Sequence, residues 1–432
     1  MISDIITEGL NGAPSIPGDK SISHRSIIIP SIADGECEVE NILNSDDVNK
    51  TINAFKLMGV KIEKKNNNIR IYGKGLNSLK KPSNEIYLGN SGTSARLLLG
   101  LLSWQKFSSK LTGDNSLSSR PMKRITAPLE QMGAKFESEK NSLPINIKGV
   151  DLKATNIDIK IPSAQIKSGL LLAALNTEGI SKITENSITR DHTEIMLDSF
   201  GAHIEIKNES NKKIIHIEGK KELKPKNIIV PSDLSSSAFF IIAALINKNS
   251  LIKLENINNN PTRNGILKAL EKMGAKIIYK NHRILNKENI CDIEIKSSEL
   301  NGCHLDESFA ELMIDEYPIL AVAASFAKSP SVFKGLKELR VKESDRLELI
   351  HKNLVNCGVD CKIEEDNLFI NPKKNYKIKH SEIITNFDHR IAMSFAIMGS
   401  KIGPLKIRDA DSIKTSFPSF INEFNKIGGN IS

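Results

Sequence analysis

Positively charged side chains recur where the apolar pattern predicts the first turns of helices. In amphipathic helices these residues are Arg120, Arg190, Arg263, Arg346 and Lys414. In a second, more apolar helix family they are Lys20, Arg25, Lys167 and Arg390. A cation at a helix N-terminus opposes the helix dipole, so stability alone disfavours it. The placement becomes favourable if an anion lies between the cation and the free backbone N–H groups, so we expect a site for small anions.

Small polar residues open two of the apolar helices, at residues 90–94 (Asn-Ser-Gly-Thr-Ser) and 163–165 (Ser-Ala-Gln). They could be helix caps, with a glycine for close packing. They could equally donate backbone and hydroxyl hydrogen bonds to carboxylate or phosphate oxygens. The sequence contains neither a P-loop nor a Gly-x-Gly-x-x-Gly segment after a strand, so nucleotide binding is not supported.

Carboxylates also lie at two of the predicted helix starts. Asp315 precedes an apolar helix, and Glu343 lies in the segment before Arg346. Asp315 could be an N-cap and Glu343 an ion-pair partner. In a cationic site, however, ionised carboxylates could serve as an acid and a base. His389, beside Arg390, could hydrogen-bond or protonate a substrate oxygen.

A long internal repeat must position these residues. The segment at residues 55–62 recurs at 129–136 and 270–277, with weaker copies elsewhere. Its glycines follow amphipathic helices at Gly59, Gly133, Gly201, Gly274, Gly358 and Gly428. A spacing of about 70 residues indicates one supersecondary unit used six times. Glycine is expected there because a left-handed residue commonly ends a helix.

The apolar helix family shares this period, with members beginning near Ser21, Asn90, Ser163, Asp233, Asp315 and Asp388. Helices that are apolar nearly all round are buried. Each repeat therefore has one buried helix, one surface-facing helix and several strands. We predict an α+β fold in which sheets cover helices.

A two-fold pattern overlies the six-fold one, because residues 16–19 (Ile-Pro-Gly-Asp) resemble residues 230–233 (Val-Pro-Ser-Asp). We predict one domain at 18–230 and a discontinuous one formed by 1–17 and 231–432, with a hinge near Pro17 and Pro231. The sixth repeat ends so close to residue 432 that its last strands must come from elsewhere, and the N-terminal stretch is the expected source.

Composition narrows the class of protein. The chain is 39% hydrophobic and 26% charged, as expected of a globular protein, and no apolar run is long enough to span a bilayer. No signal peptide is visible, and five cysteines lack zinc-site spacing, so we expect reduced thiols in the cytoplasm, no metal and no membrane. A net charge of +9 suggests nucleic acid, but aromatic residues make up only 5%, so we favour small anionic substrates.

Four segments carry a resemblance to a known family. Residues 17–25 (Pro-Gly-Asp-Lys-Ser-Ile-Ser-His-Arg) and 88–96 (Leu-Gly-Asn-Ser-Gly-Thr-Ser-Ala-Arg) resemble two N-terminal signatures of the 5-enolpyruvylshikimate-3-phosphate synthases. Residues 340–346 and 388–393 resemble C-terminal signatures, so the match runs in order over the chain. The resemblance implies an inside-out α/β barrel type of fold, with two domains of three βαβαββ repeats around parallel buried helices that close over the site.

The resemblance also implies transfer of an enolpyruvyl group from phosphoenolpyruvate to the 5-hydroxyl of shikimate-3-phosphate, without a cofactor, by a monomer. Shikimate-3-phosphate would contact Lys20, Ser21, Arg25, Ser163, Ala164, Gln165, Arg190, Asp315 and Lys342. Phosphoenolpyruvate would contact Lys20, Asn90, Gly92, Arg120, Gln165, Arg346, Arg390 and Lys414. Asp315 would accept the hydroxyl proton, and Glu343 with Lys20 would serve proton transfer at the methylene carbon. Ser187 and Arg190 are alternative contacts for the substrate phosphate.

Some residues depart from the usual pattern. Ala164 replaces a second serine, Arg190 lies in a segment that often contains tyrosine, and Glu338 with Leu339 replaces an Asn-Trp pair. Two other functions remain as alternatives. A UDP-N-acetylglucosamine enolpyruvyl transferase would share the fold but use a cysteine, and residues 113–119 contain none. A non-catalytic protein that binds polyanions would not need Asp315 and Glu343.

Overall fold

The chain folds into two units in this computed structural model, which describes residues 1–209, 212–373 and 375–432. The first unit comprises Gly18–Val230 with the short stretch Leu285–Glu288. The second comprises Met1–Pro17, Pro231–Ile284 and Asn289–Ser432. Each unit has its own hydrophobic core, built around the buried helices described below.

The first unit contains three copies of one α/β repeat. Its helices are α1 (Lys20–Ser31), α2 (Asp46–Leu57), α3 (Gly92–Leu102), α4 (Asn115–Ser119), α5 (Lys123–Gln131), α6 (Ala164–Ala174) and α7 (His192–Ser199). Its strands are β3 (Asp34–Glu40), β4 (Lys61–Lys65), β5 (Asn68–Lys74), β6 (Ile86–Tyr87), β7 (Ser108–Thr112), β8 (Lys135–Glu137), β9 (Ile145–Lys148), β10 (Asn156–Ile159), β11 (Ile180–Glu185), β12 (His203–Glu209), β13 (Lys212–Glu218) and β14 (Ile228–Ile229).

The second unit repeats the same plan. Its helices are α8 (Leu234–Ile246), α9 (Gly265–Lys272), α10 (Ser308–Met313), α11 (Tyr317–Ser325), α12 (Arg346–Asn356), α13 (His389–Ile402) and α14 (Phe420–Lys426), with 3-10 helices at Leu336–Val341 and Ala410–Thr415. Its strands are β1 (Ile2–Ser3), β2 (Asn11–Gly12), β15 (Leu251–Asn258), β16 (Ile277–Leu285), β17 (Glu288–Lys296), β18 (His304–Leu305), β19 (Ser331–Phe333), β20 (Asp360–Glu364), β21 (Asn367–Asn371), β22 (Glu382–Ile383) and β23 (Leu405–Ile407).

The sheets share one topology, which confirms the predicted βαβαββ repeat and the mixed α/β class. In the sheet β10-β11-β13-β12, the first pair is parallel and the other two pairs are antiparallel. Across the described residues, five sheets have four strands in this order and one has three. Parallel neighbours that follow each other in the chain need a crossover, and a buried helix supplies it between β6 and β7, β10 and β11, β18 and β19, and β22 and β23.

Strands from distant parts of the chain complete three of the sheets. β14 pairs in parallel with β3, so the end of the first unit supplies the first strand of its first sheet. In the second unit β2 pairs in parallel with β15, and β1 pairs antiparallel with β23. A bridge from Ser3 to Ile431 extends the last sheet. The N-terminal stretch therefore provides strands that the fourth and sixth repeats lack.

Glycine ends the six amphipathic helices in the predicted manner. In each repeat the glycine lies two residues beyond the last helical residue, and its φ is positive. The φ angles are +84° at Gly59, +98° at Gly133, +82° at Gly201, +84° at Gly274, +87° at Gly358 and +106° at Gly428. The left-handed helix ends inferred from the sequence are confirmed.

Two buried helices of the first unit, α3 and α6, run parallel. In the first unit α3 meets α6 at Arg96 and Gln165, and further along at Trp104 and Leu172. Between these contacts, a Cβ on Gly100 would lie only 1.9 Å from the carbonyl oxygen of Gly169. Because the contacts advance together along both helices, their N-terminal turns lie side by side.

Two further expectations concern thiols and membranes. All five cysteines are free and buried, and burial raises the pKa of Cys357 and Cys361 to about 12. Within the described residues, none of the helices has both the length and the apolar character needed to cross a bilayer.

Candidate active site

The second turns of α1 and α6 meet at Arg25, which is only 3% exposed. Its Nε donates to Thr193 Oγ1 at 2.6 Å, its Nη2 to Ser168 Oγ at 2.7 Å, and its Nη1 to the Ser21 carbonyl at 2.8 Å. Burial lowers the pKa of Arg25 to about 10, and the positive charge of Arg190 acts in the same direction. Two predicted shikimate-3-phosphate contacts, Arg25 and Arg190, therefore lie within electrostatic range of each other.

Lys20 begins α1 and forms an ion pair with Asp47, in the first turn of α2. Both side chains are largely buried, with 17% of Lys20 and 9% of Asp47 exposed. The N-cap of α1 is Asp19, whose carboxylate accepts from the Ile22 N–H at 2.9 Å. The sequence identified Lys20 but gave no indication of its partner Asp47.

Asn90 and Arg120 form one hydrogen-bonded group before α3. The Asn90 amide nitrogen donates to Asp114 at 2.8 Å, and the Asn90 oxygen accepts from Arg120 Nη2. Gly92 is the first residue of α3, and a Cβ there would lie 3.0 Å from Arg120 Nη1. Glycine at position 92 therefore leaves room for the Arg120 guanidinium where it lies.

Gln165 joins the first turns of α6 and α3. Its Oε1 accepts from Arg96 Nη1 at 2.7 Å, and its Nε2 donates to Thr93 Oγ1 at 2.9 Å. Ser163 is the N-cap of α6 and Ala164 its first residue. Ser163 Oγ accepts from the Ile166 N–H at 3.4 Å, which is a long hydrogen bond. The interpretation of this segment as a helix cap is therefore compatible with its interpretation as a ligand contact.

In the second unit a single guanidinium gathers both predicted catalytic carboxylates. Arg346, the first residue of α12, donates from Nη1 to Asp315 at 3.1 Å and from Nη2 to Glu343 at 2.5 Å. Its Nε donates to Asp388 at 2.8 Å. Burial opposes the charge, but the three carboxylates prevail and raise the pKa of Arg346 above its usual value. We call Arg346, Asp315, Glu343 and Asp388 the Arg346 cluster.

Two more predicted cations border the Arg346 cluster. Lys342 Nζ lies 3.6 Å from Asp315 Oδ1. Arg390, in the first turn of α13, donates to the Asp315 carbonyl at 3.2 Å and lies 3.8 Å from the Glu316 carboxylate. The charge of Asp315 is therefore balanced on two sides, while its side chain remains 16% exposed. It can reach a ligand without leaving its partners.

Two predicted cations lie in or beside short helices that the sequence analysis did not predict. Lys414 is in the 3-10 helix Ala410–Thr415, well before α14, and pairs with Asp411 at 2.7 Å with 65% of its side chain exposed. Arg120 follows the short helix α4, which the sequence analysis did not predict, and precedes α5 by three residues. The placement of Lys414 at the start of an amphipathic helix was wrong, because a 3-10 helix too short to show an apolar period precedes α14, whereas Arg120 lies just before α5, as predicted.

The two units offer different chemistry. The first gathers cations and neutral hydrogen-bond donors, which suit phosphate and carboxylate groups. The second places two partly exposed carboxylates, Asp315 and Glu343, on one buried guanidinium. Carboxylates held in place among cations can accept and return protons. His389 Nδ1 lies 3.3 Å from Thr415 Oγ1, and the N-cap of α13 is its neighbour Asp388.

Sequence reasoning missed the residues that hold the predicted ones. Asp114 orients Asn90, Arg96 orients Gln165, and Asp388 orients Arg346. Asp388 carried a signal, because it precedes an apolar helix as an N-cap should. Asp47 and Asp114 did not, because their partners are distant in sequence.

Comparison with known proteins gives a consistent result. The profile of the family described as "EPSP synthase (3-phosphoshikimate 1-carboxyvinyltransferase)" matches residues 6–424. A 3-phosphoshikimate 1-carboxyvinyltransferase of Vesicomyosocius okutanii is 44% identical over 99% of this chain and 97% of its own length. One of Ruthia magnifica is 45% identical over 99% and 97%.

Solved structures are similar over the same extent. An EPSP synthase from Acinetobacter baumannii has a TM-score of 0.87 at 44% identity, covering 100% of this chain and 99% of its own. The enolpyruvyl transferase NikO from Streptomyces tendae has a TM-score of 0.78 at 14% identity over 100% and 98% of the two chains, a likeness of fold alone.

Proposed function

The chain belongs to the EPSP synthase family, and on that premise we propose that it transfers the enolpyruvyl group of phosphoenolpyruvate to the 5-hydroxyl of shikimate-3-phosphate, releasing phosphate. The named relatives act as 3-phosphoshikimate 1-carboxyvinyltransferases and match nearly the whole chain. Neither alternative function is favoured, because the family profile covers residues 6–424 and names this reaction.

We assign each substrate to the groups whose chemistry suits it. Shikimate-3-phosphate is held by Lys20, Ser21, Arg25, Ser163, Ala164, Gln165, Arg190, Asp315 and Lys342. Phosphoenolpyruvate is held by Lys20, Asn90, Gly92, Arg120, Gln165, Arg346, Arg390 and Lys414. Lys20, Arg346 and Arg390 lie in the first turns of helices, which supports this assignment, since N–H groups and guanidinium groups both bind oxyanions.

The reaction needs one proton delivered to carbon and one removed from a hydroxyl. Glu343, with Lys20, protonates the methylene carbon of phosphoenolpyruvate, which makes the neighbouring carbon electrophilic. The 5-hydroxyl oxygen attacks that carbon and gives its proton to Asp315, forming a tetrahedral intermediate. The methyl group then returns a proton to Glu343 while the C–O bond to phosphate breaks, which restores the double bond. The leaving phosphate takes the hydroxyl proton from Asp315, so that both carboxyl groups return to their starting states.

The observation that carries this proposal is the Arg346 cluster. Its guanidinium fixes Asp315 and Glu343 at 3.1 and 2.5 Å, so that two carboxylates needed for separate proton transfers share one anchor. A protein that only bound polyanions would gain nothing from carboxylates there, because they repel the ligand.

The test is product identification. Purified protein is mixed with shikimate-3-phosphate and phosphoenolpyruvate, and NMR follows the vinyl ether while a colorimetric assay follows phosphate. We expect both products in equal amounts, and neither when one substrate is omitted. Phosphate release without shikimate-3-phosphate, or no vinyl ether, would refute the proposed function.

We also propose that the enzyme works as a monomer in the cytoplasm. Five free buried thiols support a reducing compartment. Size-exclusion chromatography with light scattering tests the oligomeric state, and a mass of about 48 kDa is expected from the 47.7 kDa chain.

A further inference from the structure

Lys167 is a buried cation to which the proposed reaction gives no role. Lys167, in the first turns of α6, is fully buried. Its ammonium group donates to Glu185 at 2.7 Å and to the Thr189 carbonyl at 3.3 Å, and lies 2.8 Å from Glu194. An ammonium group has three N–H donors, so three acceptors surround three donors. We call Lys167, Glu185, Glu194 and Thr189 the Lys167 network.

The fold itself does not require a lysine at this place. Lys167 is the fourth residue after the N-cap of α6. The equivalent residues of the other five buried helices are Ser23, Ala95, Ser237, Leu320 and Ala392. All five are buried. A buried ion pair is costly to desolvate and is often no more stabilising than apolar packing. The lysine is therefore explained by a contact that is specific to the third repeat.

That contact is with the segment at residues 186–190, which connects β11 to α7 without regular structure. Glu185 ends β11 and accepts from the Thr189 hydroxyl, while Lys167 binds the Thr189 carbonyl. Thr189 is thus held through its backbone and its side chain. Ser187 and Arg190, on either side of it, are partly exposed.

The far end of the network reaches the start of α7. Glu194, in the first turn of α7, also pairs with Lys213 at 3.3 Å. Thr193, one residue earlier, accepts from Arg25 Nε at 2.6 Å. The network therefore fixes the segment that carries Ser187 and Arg190, and the helix turn that orients Arg25.

We propose that Lys167 is a positioning residue for shikimate-3-phosphate: through Glu185 and Thr189 it holds the segment at 186–190, so that Ser187 and Arg190 meet the substrate phosphate. This inference rests on the proposed function for its ligand. It adds a residue that touches no substrate and acts only through the segment that it holds.

The test uses two variants and two readouts. Thr189→Val removes the hydroxyl that bonds Glu185 but keeps the side-chain shape, and Lys167→Met removes the ammonium group. Calorimetry measures the Kd of shikimate-3-phosphate alone, and steady-state assays give the KM of each substrate. Misplaced binding groups commonly cost one to two orders of magnitude, so we expect a Kd at least about tenfold weaker in both variants. The KM of phosphoenolpyruvate should change less than about twofold, a split that loss of stability alone would not produce.

Asp233→Asn is the matched control. It weakens a buried ion pair with Arg263, 2.8 Å long, in the second unit, and keeps a helix-capping side chain. It should lower the Tm without changing the Kd of shikimate-3-phosphate. If Lys167→Met does not fold, Thr189→Val decides alone.

A double-mutant cycle with Arg190→Gln separates positioning from a purely structural role. If Thr189 acts through Arg190, the two losses of affinity will be less than additive. Additive losses, or a Kd unchanged in Thr189→Val, would overturn the proposal. Wild-type protein that binds shikimate-3-phosphate but forms no vinyl ether would instead refute the proposed function and leave the positioning role intact.

Discussion

At the scale of single residues, the sequence predicted which side chains matter better than it predicted what they touch. Lys20, Arg25 and Arg346 lie at helix starts, as expected. In the structure, however, Arg346 already binds three carboxylates of the protein itself. A cation at a helix N-terminus can be balanced either by a bound anionic ligand or by a carboxylate side chain distant in sequence. The local sequence pattern does not distinguish these two partners.

Gly92→Ala tests whether Arg120 needs the space that glycine leaves. The added Cβ would lie 2.8 Å from Arg96 Nη1 and 3.0 Å from Arg120 Nη1, so the guanidinium groups must shift. Weakening a charge-assisted hydrogen bond costs about 1.5–3 kcal/mol, so we expect the KM of phosphoenolpyruvate to rise about tenfold or more. The KM of shikimate-3-phosphate serves as the internal control, and an equal rise in both would contradict the assignment.

Arg25→Ala and Lys414→Ala should weaken different substrates, shikimate-3-phosphate and phosphoenolpyruvate respectively. Only Arg25→Ala should also lower the Tm, because it removes the buried hydrogen bonds of a guanidinium to Thr193 and Ser168, whereas Lys414 is 65% exposed. Steady-state kinetics and melting curves on both variants check this. Equal effects of the two variants on both KM values would argue against the division of roles.

At the scale of elements, periodicity predicted the long helices and failed on short segments. The six glycine-terminated helices and six apolar helices are all present. α4, α10 and the two 3-10 helices were not predicted, because they are too short to show an apolar period. The strand pairings that bring β14 to β3 and β1 to β23 are equally invisible to local pattern, because they join residues far apart in the chain.

The packing of α1 against α2 and α3 predicts a pH dependence of stability. His24 is fully buried, and its Nδ1 lies 2.8 Å from Thr51 Oγ1 on α2. Burial, with the charges of Lys20 and Arg25, holds the pKa of His24 well below its usual 6.5. Below pH 6.5 the His24 side chain therefore binds a proton in the unfolded chain, whereas in the folded chain it remains neutral to lower pH. The free energy of unfolding should fall as pH falls through that value, by up to about 1.4 kcal/mol per pH unit.

Urea denaturation at pH 7, 6 and 5 measures this effect. His24→Asn keeps a polar atom near Thr51 but cannot take up the proton, so its stability should depend less on pH than that of the wild type. The same pH dependence in both proteins would show that His24 is not the group responsible.

At the scale of the whole molecule, two separate hydrophobic cores indicate two folding units. The core of the first unit draws only on residues within 18–230. The core of the second includes Leu10 and Ile16 beside residues from 234 onward. The sequence indicated this division through the resemblance of residues 16–19 to 230–233, and the boundary at Pro17 and Pro231 with its hinge remains a prediction.

A fragment experiment tests that division. Residues 18–230 alone should fold and unfold cooperatively in urea. Residues 231–432 alone lack β1 and β2, so they should be less stable than a permuted chain in which residues 1–17 follow 432 through a flexible linker. Circular dichroism and urea midpoints provide the comparison. Equal stability of the fragment with and without residues 1–17 would count against a discontinuous domain.

The central claim is that Asp315, held by Arg346, accepts the proton of the attacking hydroxyl. The most direct measurement is the turnover of Asp315→Asn. Asparagine keeps the size of the side chain and an oxygen for Arg346 Nη1, now 3.1 Å away, but removes the basicity. We expect kcat to fall by roughly 10²–10⁴-fold, with the KM values and the Tm much less affected. Near-normal turnover in Asp315→Asn would contradict the account and return Asp315 to a structural role at the start of α11.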